Sequence, residues 1–132
     1  MDRLFLDANV LFSAAYREES GLLQLWNIPD VELVTSGFAL EEARRNLDAP
    51  EQLERLNALM RDIDLLPEVR EPSLPPGVDI AEKDKPILTG AIAAGASHLI
   101  TGDRRHFGRY FGKSVGRTLI VTPRDYLASR KR

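Results

Sequence analysis

A short apolar run that ends in a carboxylate constrains the fold of this chain more than any other stretch. Leu4, Phe5 and Leu6 have the pattern of a buried strand, and Asp7 comes directly after them. Burying an unpaired carboxylate is costly, whereas open α/β sheets place their ligand crevice at the carboxyl ends of the strands. The stretch therefore predicts a crevice with a functional acid at the end of the first strand.

Segments typical of strands and of helices alternate along the rest of the chain. Strands are predicted at 4–6, 31–35, 63–66, 98–101 and 118–121. Helices are predicted at 8–16, 22–26, 36–47, 51–61 and 81–94, and another begins at Pro123. Residues 104–111 are a loop or a short helix. Such alternation favours a parallel sheet covered on both faces, so we predict an α/β protein, a three-layer α/β/α sandwich around about five parallel strands.

The length and composition are typical of one soluble globular domain spanning residues 1–132. The loop predicted at 67–80 is rich in proline but does not divide the chain, because the C-terminal remainder is too small to fold alone. The absence of cysteine excludes disulfides and thiolate-held zinc. With no signal peptide and no stretch long enough to span a bilayer, we predict a cytoplasmic protein without membrane partners.

The small net charge of −2 conceals an uneven distribution along the sequence. Residues 1–102 carry 9 basic and 18 acidic side chains, whereas residues 103–132 carry 9 basic and 2 acidic ones. A basic segment on an acidic body attracts polyanions, although a solvated C-terminal helix would show the same composition.

Acidic side chains recur at positions that a parallel sheet would bring to one edge. They are Asp7 after the first strand, Glu41 or Glu42 in the helix after the second, Asp84 after the long loop and Asp103 after the fourth strand. Each alone fits an ordinary role as a cap, a turn residue or a solvated helix charge. Clustered carboxylates must be protonated or balanced by cations, and oxygen ligands select Mg²⁺ or Mn²⁺.

Four blocks of the sequence, in order, resemble the PIN domain family of nucleases, which includes the VapC-type toxins. The blocks are FLDANVL at 5–11, TSGFALEEARRNL at 35–47, DKPILTGA at 84–91 and LITGDRRHF at 99–107. The resemblance implies an α/β/α sandwich with an acidic metal site and metal-dependent cleavage of RNA. It also implies a homodimer and, for the toxins, a small antitoxin as partner.

Carried over by position, the resemblance assigns roles to individual residues. It implies that Asp7, Asp84 and Asp103 are catalytic metal ligands, with Glu42 as the fourth acid and Glu41 as its alternative. Asn9 and Thr101 match supporting positions that orient the site through hydrogen bonds. We expect the side chains that come after the fourth strand to contact RNA; these are Arg104, Arg105 and His106.

We interpret the chain as a Mg²⁺- or Mn²⁺-dependent endoribonuclease, and the alternative is a non-catalytic PIN-fold module that binds RNA or protein. Two other classes also cluster acids at a sheet edge. A phosphoacceptor signalling domain would need an aspartate after the third strand and a lysine after the fifth, where Glu68 and Arg124 follow prolines. A phosphotransferase of the haloacid-dehalogenase class would need aspartate in place of Asn9.

Overall fold

A single mixed sheet lies at the centre of the computed structural model, which describes residues 1–70 and 73–131. Within these residues its strands are β1 (Asp2–Leu6), β2 (Val31–Ser36), β3 (Ile63–Leu66), β4 (His98–Ile100), β5 (Lys113–Val115) and β6 (Thr118–Val121). Their order across the sheet is β3-β2-β1-β4-β6-β5. All neighbours are parallel except β5, which runs antiparallel to β6. The α/β fold class is confirmed.

The helices follow the strands in the predicted alternation. They are α1 (Ala8–Tyr16), α2 (Gly37–Arg45), α3 (Pro50–Met60), α4 (Lys85–Ala93), α5 (Arg104–Phe107) and α6 (Pro123–Ser129). Short 3-10 turns lie at Gly21–Asn27, Glu82–Asp84 and Gly108–Tyr110. The predicted loop at 67–80 includes residues 71 and 72, which lie outside the described residues.

The α-helix predicted at 22–26 is wrong, because Gly21–Asn27 forms a 3-10 helix. Ser20 caps it, since its hydroxyl accepts from the Leu22 N–H at 3.2 Å. Leu25 is the buried residue of this segment, so no broad apolar face demands an α-helix. Trp26 Nε1 donates to the Leu59 carbonyl at 3.1 Å and fastens the segment to α3.

The sheet has one strand more than the predicted five, because β5 pairs with β6 as an antiparallel hairpin. Lys113–Val115 is too short and too polar for its pattern to indicate a strand. The hairpin turns at Gly116, whose φ is 62°. A glycine at the first central position of a two-residue loop is the usual sign of such a turn.

The helix predicted at 81–94 begins with a 3-10 turn before α4. Pro86 lies in the first turn of α4 and has no N–H with which to reach the Glu82 carbonyl. The Lys85 N–H bonds that carbonyl instead, which gives the tighter 3-10 spacing. Asp84 consequently stands at the junction of the two helices rather than inside a continuous α-helix.

The core surrounds β1, whose Leu4, Phe5 and Leu6 have no exposed surface. β1 is flanked by β2 and β4, so its end is enclosed by parallel strands on both sides. Among the described residues, no helix has both the length and the apolar character needed to cross a bilayer.

Candidate metal centre

The acidic residues meet where the strand order reverses. β1 connects onward to β2 on one side, whereas β4 lies on its other side, so the chain leaves β1 and β4 in different directions. Such a switch point opens a crevice at the carboxyl ends of the two strands. Asp7 follows β1 and Asp103 lies three residues beyond β4, so both carboxylates reach this crevice.

Asp7 is buried and serves as the N-cap of α1. Its Oδ1 accepts from the Ala8 N–H at 2.7 Å, and its Oδ2 accepts from the Thr101 hydroxyl at 2.8 Å and the Asn9 amide at 3.0 Å. Asp7 therefore does act as a helix cap, the ordinary role that the sequence also allowed. This role coexists with a position inside the acidic crevice.

Asn9 connects the ends of β1 and β4. Its Nδ2 donates to Asp7, and its Oδ1 accepts from the Gly102 N–H at 2.8 Å. Thr101 Oγ1 in turn accepts from the Asp103 N–H at 3.1 Å. This network fixes the Asp7 carboxylate and the turn that carries Asp103.

Three side chains form the tightest group of potential ligands among the described residues. One ligand atom each from Asp84, Asp103 and His106 lies within 4.8 Å of the others. His106 Nδ1 is 2.7 Å from Asp103 Oδ2 and 3.6 Å from Asp84 Oδ2. Asp84 Oδ2 is itself buried and has no hydrogen-bond partner in the described structure.

Glu42 and Glu41 differ in their relation to the crevice. Glu42 is half-buried and lines a cavity of about 350 Å³ that Asp7, Asp84 and Asp103 also line. Glu41 is exposed and is not part of that cavity lining. The geometry thus places Glu42 with the other acids and Glu41 outside their group.

Burial and mutual repulsion make the carboxylates costly to ionise together. Burial raises the pKa of Asp7 to about 6; hydrogen bonds from Thr101 and Ala8 oppose the rise, and the charges of Glu42 and Asp103 add to it. Burial is also the main cause that raises the pKa of Asp84, which Asp103 raises further and His106 and Lys83 lower. A divalent cation among them would remove this penalty.

The basic residues predicted to contact RNA are divided between two places. His106 lines the crevice and is half-buried, and its ring contacts the carboxylates of Asp103 and Asp84. Arg104 and Arg105 lie on α5 and are exposed, outside the lining of the acidic cavity. The two arginines follow Asp103 in sequence, and Asp103, the N-cap of α5, lines the crevice.

The structure adds crevice residues that the sequence reasoning missed. Lys83 lines the cavity one residue before Asp84, and Asn46 lines it at the C-terminal end of α2. Helical spacing was the available signal for Asn46, because it stands four residues after Glu42 and so faces the same side of the helix. The signal for Lys83 was weaker, since a 3-10 turn was not predicted there.

The donor set fits a hard divalent cation. Carboxylate oxygens dominate the crevice and one imidazole accompanies them, which suits Mg²⁺ or Mn²⁺. The buried Asp84 Oδ2, which has no hydrogen-bond partner among the described residues, is an independent observation that fits a cation at this place, because buried polar atoms are otherwise paired.

Comparison with known proteins agrees with the fold. The chain is similar to a chain of VapBC2 from Rickettsia felis, solved with a DNA fragment from its promoter, at 15% identity and a TM-score of 0.68 over 91% of this chain and 98% of that one. It is also similar to VapC20 from Mycobacterium tuberculosis, described as a toxin that cleaves the sarcin-ricin loop, at 12% identity and a TM-score of 0.54 over 76% of this chain and 91% of that one. No curated protein matches the sequence.

A family assignment rests on the sequence itself. The profile described as the PIN domain matches residues 3–105, a span that contains the first three sequence blocks, residues 99–105 of the fourth and the acids of the crevice. That span is well over half of the 132 residues. The chain belongs to the PIN domain family.

Proposed function

We propose that this PIN domain is a metal-dependent endoribonuclease that hydrolyses RNA phosphodiester bonds. The observation that carries the proposal is the buried Asp84 Oδ2, which lacks a hydrogen-bond partner among the described residues although Asp84 lines the crevice shared with Asp7 and Asp103. A structural carboxylate would be paired at this depth. A carboxylate kept for a cation need not be.

In this proposal Asp7, Asp84, Asp103 and Glu42 hold Mg²⁺ or Mn²⁺. A bound divalent ion supplies a lower pKa for coordinated water and offsets the negative charge that develops on the scissile phosphate. Asn9 and Thr101 hold the Asp7 carboxylate in place through the hydrogen bonds that they donate to it. His106 holds Asp103 from the other side.

The alternative of a non-catalytic module is less well supported by the crevice. A binding module needs no cluster of acids at the point where a polyanion would approach, because like charges repel. Here Asp7 is buried at a cost that its hydrogen bonds only partly offset. That cost fits a site that acquires a cation better than one that binds RNA directly.

Arg104 and Arg105 are suited to hold the RNA backbone beside the crevice. Both are exposed on α5, whose N-cap Asp103 lines the acidic cavity. Guanidinium groups bind phosphate oxygens in a bidentate manner. His106 lines the crevice together with the carboxylates. We therefore infer that His106 contacts only an RNA phosphate that enters the crevice.

Membership of the PIN domain family also supports a role as a toxin. A solved structure of similar fold is VapBC2 from Rickettsia felis, bound to a DNA fragment from its promoter. We therefore propose a small antitoxin protein as a partner, a homodimer as the assembly and the cytoplasm as the location. Co-expression with the product of a neighbouring reading frame, followed by size-exclusion chromatography, tests both the partner and the dimer.

The catalytic proposal is tested by cleavage of a fluorescently labelled single-stranded RNA during Mn²⁺ titration. We expect cleavage that rises with Mn²⁺ and stops with EDTA, and we expect Asp7→Asn to abolish it while circular dichroism shows an intact fold. Asp64→Asn, an exposed aspartate on β3, is the matched control. Normal cleavage by Asp7→Asn, or binding without cleavage at any Mn²⁺ concentration, would refute it.

A further inference from the structure

A second depression lies on the other side of the β4–α5 turn from the acidic crevice. It consists of two adjoining hollows of about 760 Å³ and about 390 Å³, which share Leu22 and Arg124 in their walls. We call it the α6 groove, and its defining residues are Leu22, Arg104, Phe111, Arg124, Leu127 and Lys131.

The groove carries the opposite charge to the crevice. Arg104 stands in the first hollow and Lys131 in the second, with Arg124 in both, and Asp125 is the acid among the lining residues. Asp125 lies in the first turn of α6, where a negative charge is favourable to the helix. The groove thus collects part of the basic C-terminal segment of an otherwise acidic chain, and its charge suits a polyanion.

Apolar side chains lie between the basic ones. The apolar residues are Leu22, Phe111 and Leu127, which pack against the core and are partly buried. The rest of each side chain is accessible from the groove. Single-stranded RNA has both phosphates for the cations and unstacked bases for apolar and aromatic surfaces. A duplex hides its bases, and an acidic peptide has no flat rings to place on Phe111.

The groove continues from the crevice across a single turn. Asp103 lines the acidic cavity, whereas its neighbours Gly102 and Arg104 line the first hollow. The Gly102 N–H donates to Asn9 Oδ1, which ties this turn to the crevice floor. An RNA strand lying against the carboxylates would therefore pass into the groove when it crosses α5.

The wall formed by α6 is held in place from behind. Tyr126 is buried, and its hydroxyl donates to Asp2 Oδ2 at 2.7 Å, while the ring packs edge-on against His98 with the ring centres 4.9 Å apart. Arg124 and Lys131 are seven residues apart, on α6 and the turn that ends it, which corresponds to about 10 Å of helix rise. The two positively charged residues are therefore separated along the groove wall by more than the length of one nucleotide.

We propose that the α6 groove binds the single-stranded RNA that flanks the cleavage position. The identity of the ligand, RNA, rests on the proposed function. The binding experiment that tests the groove does not depend on RNA cleavage. Arg124 and Lys131 would hold phosphates, and Phe111 would stack on a base. The groove would thereby set the minimum length of an efficiently cleaved RNA.

The test is RNA binding in EDTA, where metal-dependent cleavage is off. The variant is Arg124→Ala with Lys131→Ala, and the matched control is Arg117→Ala with Lys113→Ala. The control pair lies at the β5–β6 hairpin, is also exposed and removes the same charge. Fluorescence anisotropy of a labelled single-stranded RNA gives Kd as a function of salt.

We expect the groove variant to bind about tenfold more weakly than the control variant at about 50 mM salt. Its slope of log Kd against log salt should fall by about 1.4, which is about 0.7 for each lost phosphate contact. Phe111→Leu should weaken binding about fivefold without a change in the slope, since it removes stacking and no charge. Thermal melting followed by circular dichroism shows that each variant is folded at the assay temperature.

Equal affinity of the groove and control variants would overturn the proposal, as would tighter binding of duplex RNA, single-stranded DNA or a polyglutamate peptide. These outcomes are independent of cleavage. A chain that never cleaves RNA but shows the groove effect refutes the proposed function and leaves the groove standing. A chain that cleaves RNA but treats both double variants alike refutes the groove alone.

Discussion

Asp84 Oδ2 and His106 Nδ1 lie 3.6 Å apart, and this oxygen of Asp84 is buried without a hydrogen-bond partner among the described residues. The imidazole is already engaged by Asp103 Oδ2 at 2.7 Å. The pair therefore leaves one carboxyl oxygen of Asp84 available inside the crevice. A cation is the simplest group that would satisfy it.

The first prediction is that Asp84→Asn weakens Mn²⁺ binding at least about 100-fold, because even outer partners of metal ligands contribute about 10- to 100-fold. Calorimetric titration of Mn²⁺ into the protein measures the affinity. Without metal, the variant should be no less stable than the parent, since burial opposes ionisation of Asp84. Asp79→Asn, exposed on the preceding loop, is the control, and equal loss in both variants would contradict the assignment.

The second prediction separates the adjacent glutamates. Glu42→Gln should lower the cleavage rate about 100-fold, whereas Glu41→Gln should leave it within about twofold, because only Glu42 of the two lines the acidic cavity. The two variants remove the same charge from neighbouring positions of α2, so each controls for the other. A larger loss in Glu41→Gln would move the fourth acid to Glu41.

The third prediction concerns Asn9 as a positioning residue. Asn9→Ala removes the amide that joins Asp7 to the Gly102 N–H, so we expect about 10- to 100-fold weaker Mn²⁺ binding. High Mn²⁺ should restore part of the cleavage, because the carboxylates remain. Asn27→Ala is the control, because it removes an exposed side-chain amide that does not line the acidic cavity. Complete loss of cleavage at saturating Mn²⁺ would instead make Asn9 essential to the chemistry.

Much of this architecture was predictable because the relevant signals are local. β1 is a short apolar run, and Ser20, Ser36 and Pro86 mark helix starts that the structure shows. The parallel order is then the expected result of alternating strands and helices. These features depend on residues that are near one another in sequence.

Other features depend on contacts that the sequence pattern does not show. The choice between Glu41 and Glu42 depends on how α2 is rotated against α1, on which it packs, and both residues fit the helix equally well on their own. β5 is stabilised by its partner β6 rather than by its own composition. Likewise, the place of His106 among carboxylates results from the approach of Asp84, which is distant in sequence.

The last prediction uses the raised pKa of Asp7. Its value of about 6 in the folded chain exceeds its ordinary value of 3.8, so the folded state holds the proton more tightly than the unfolded state does. Stability without metal should therefore fall as pH rises through this interval, by about 3 kcal/mol in total. Asp7→Asn removes this dependence. The variant should gain stability relative to the parent by about 2 kcal/mol between about pH 4.5 and about pH 7.5.

Urea unfolding in EDTA, monitored by circular dichroism, measures this difference at both pH values. Asp64→Asn, at an exposed position on β3, is the control measured beside it. Mn²⁺ should reverse the ranking above about pH 6, because it stabilises the folded parent by binding the ionised carboxylate and cannot do so with the amide. A difference between Asp7→Asn and the parent that stays constant with pH would show that Asp7 ionises normally in the folded chain.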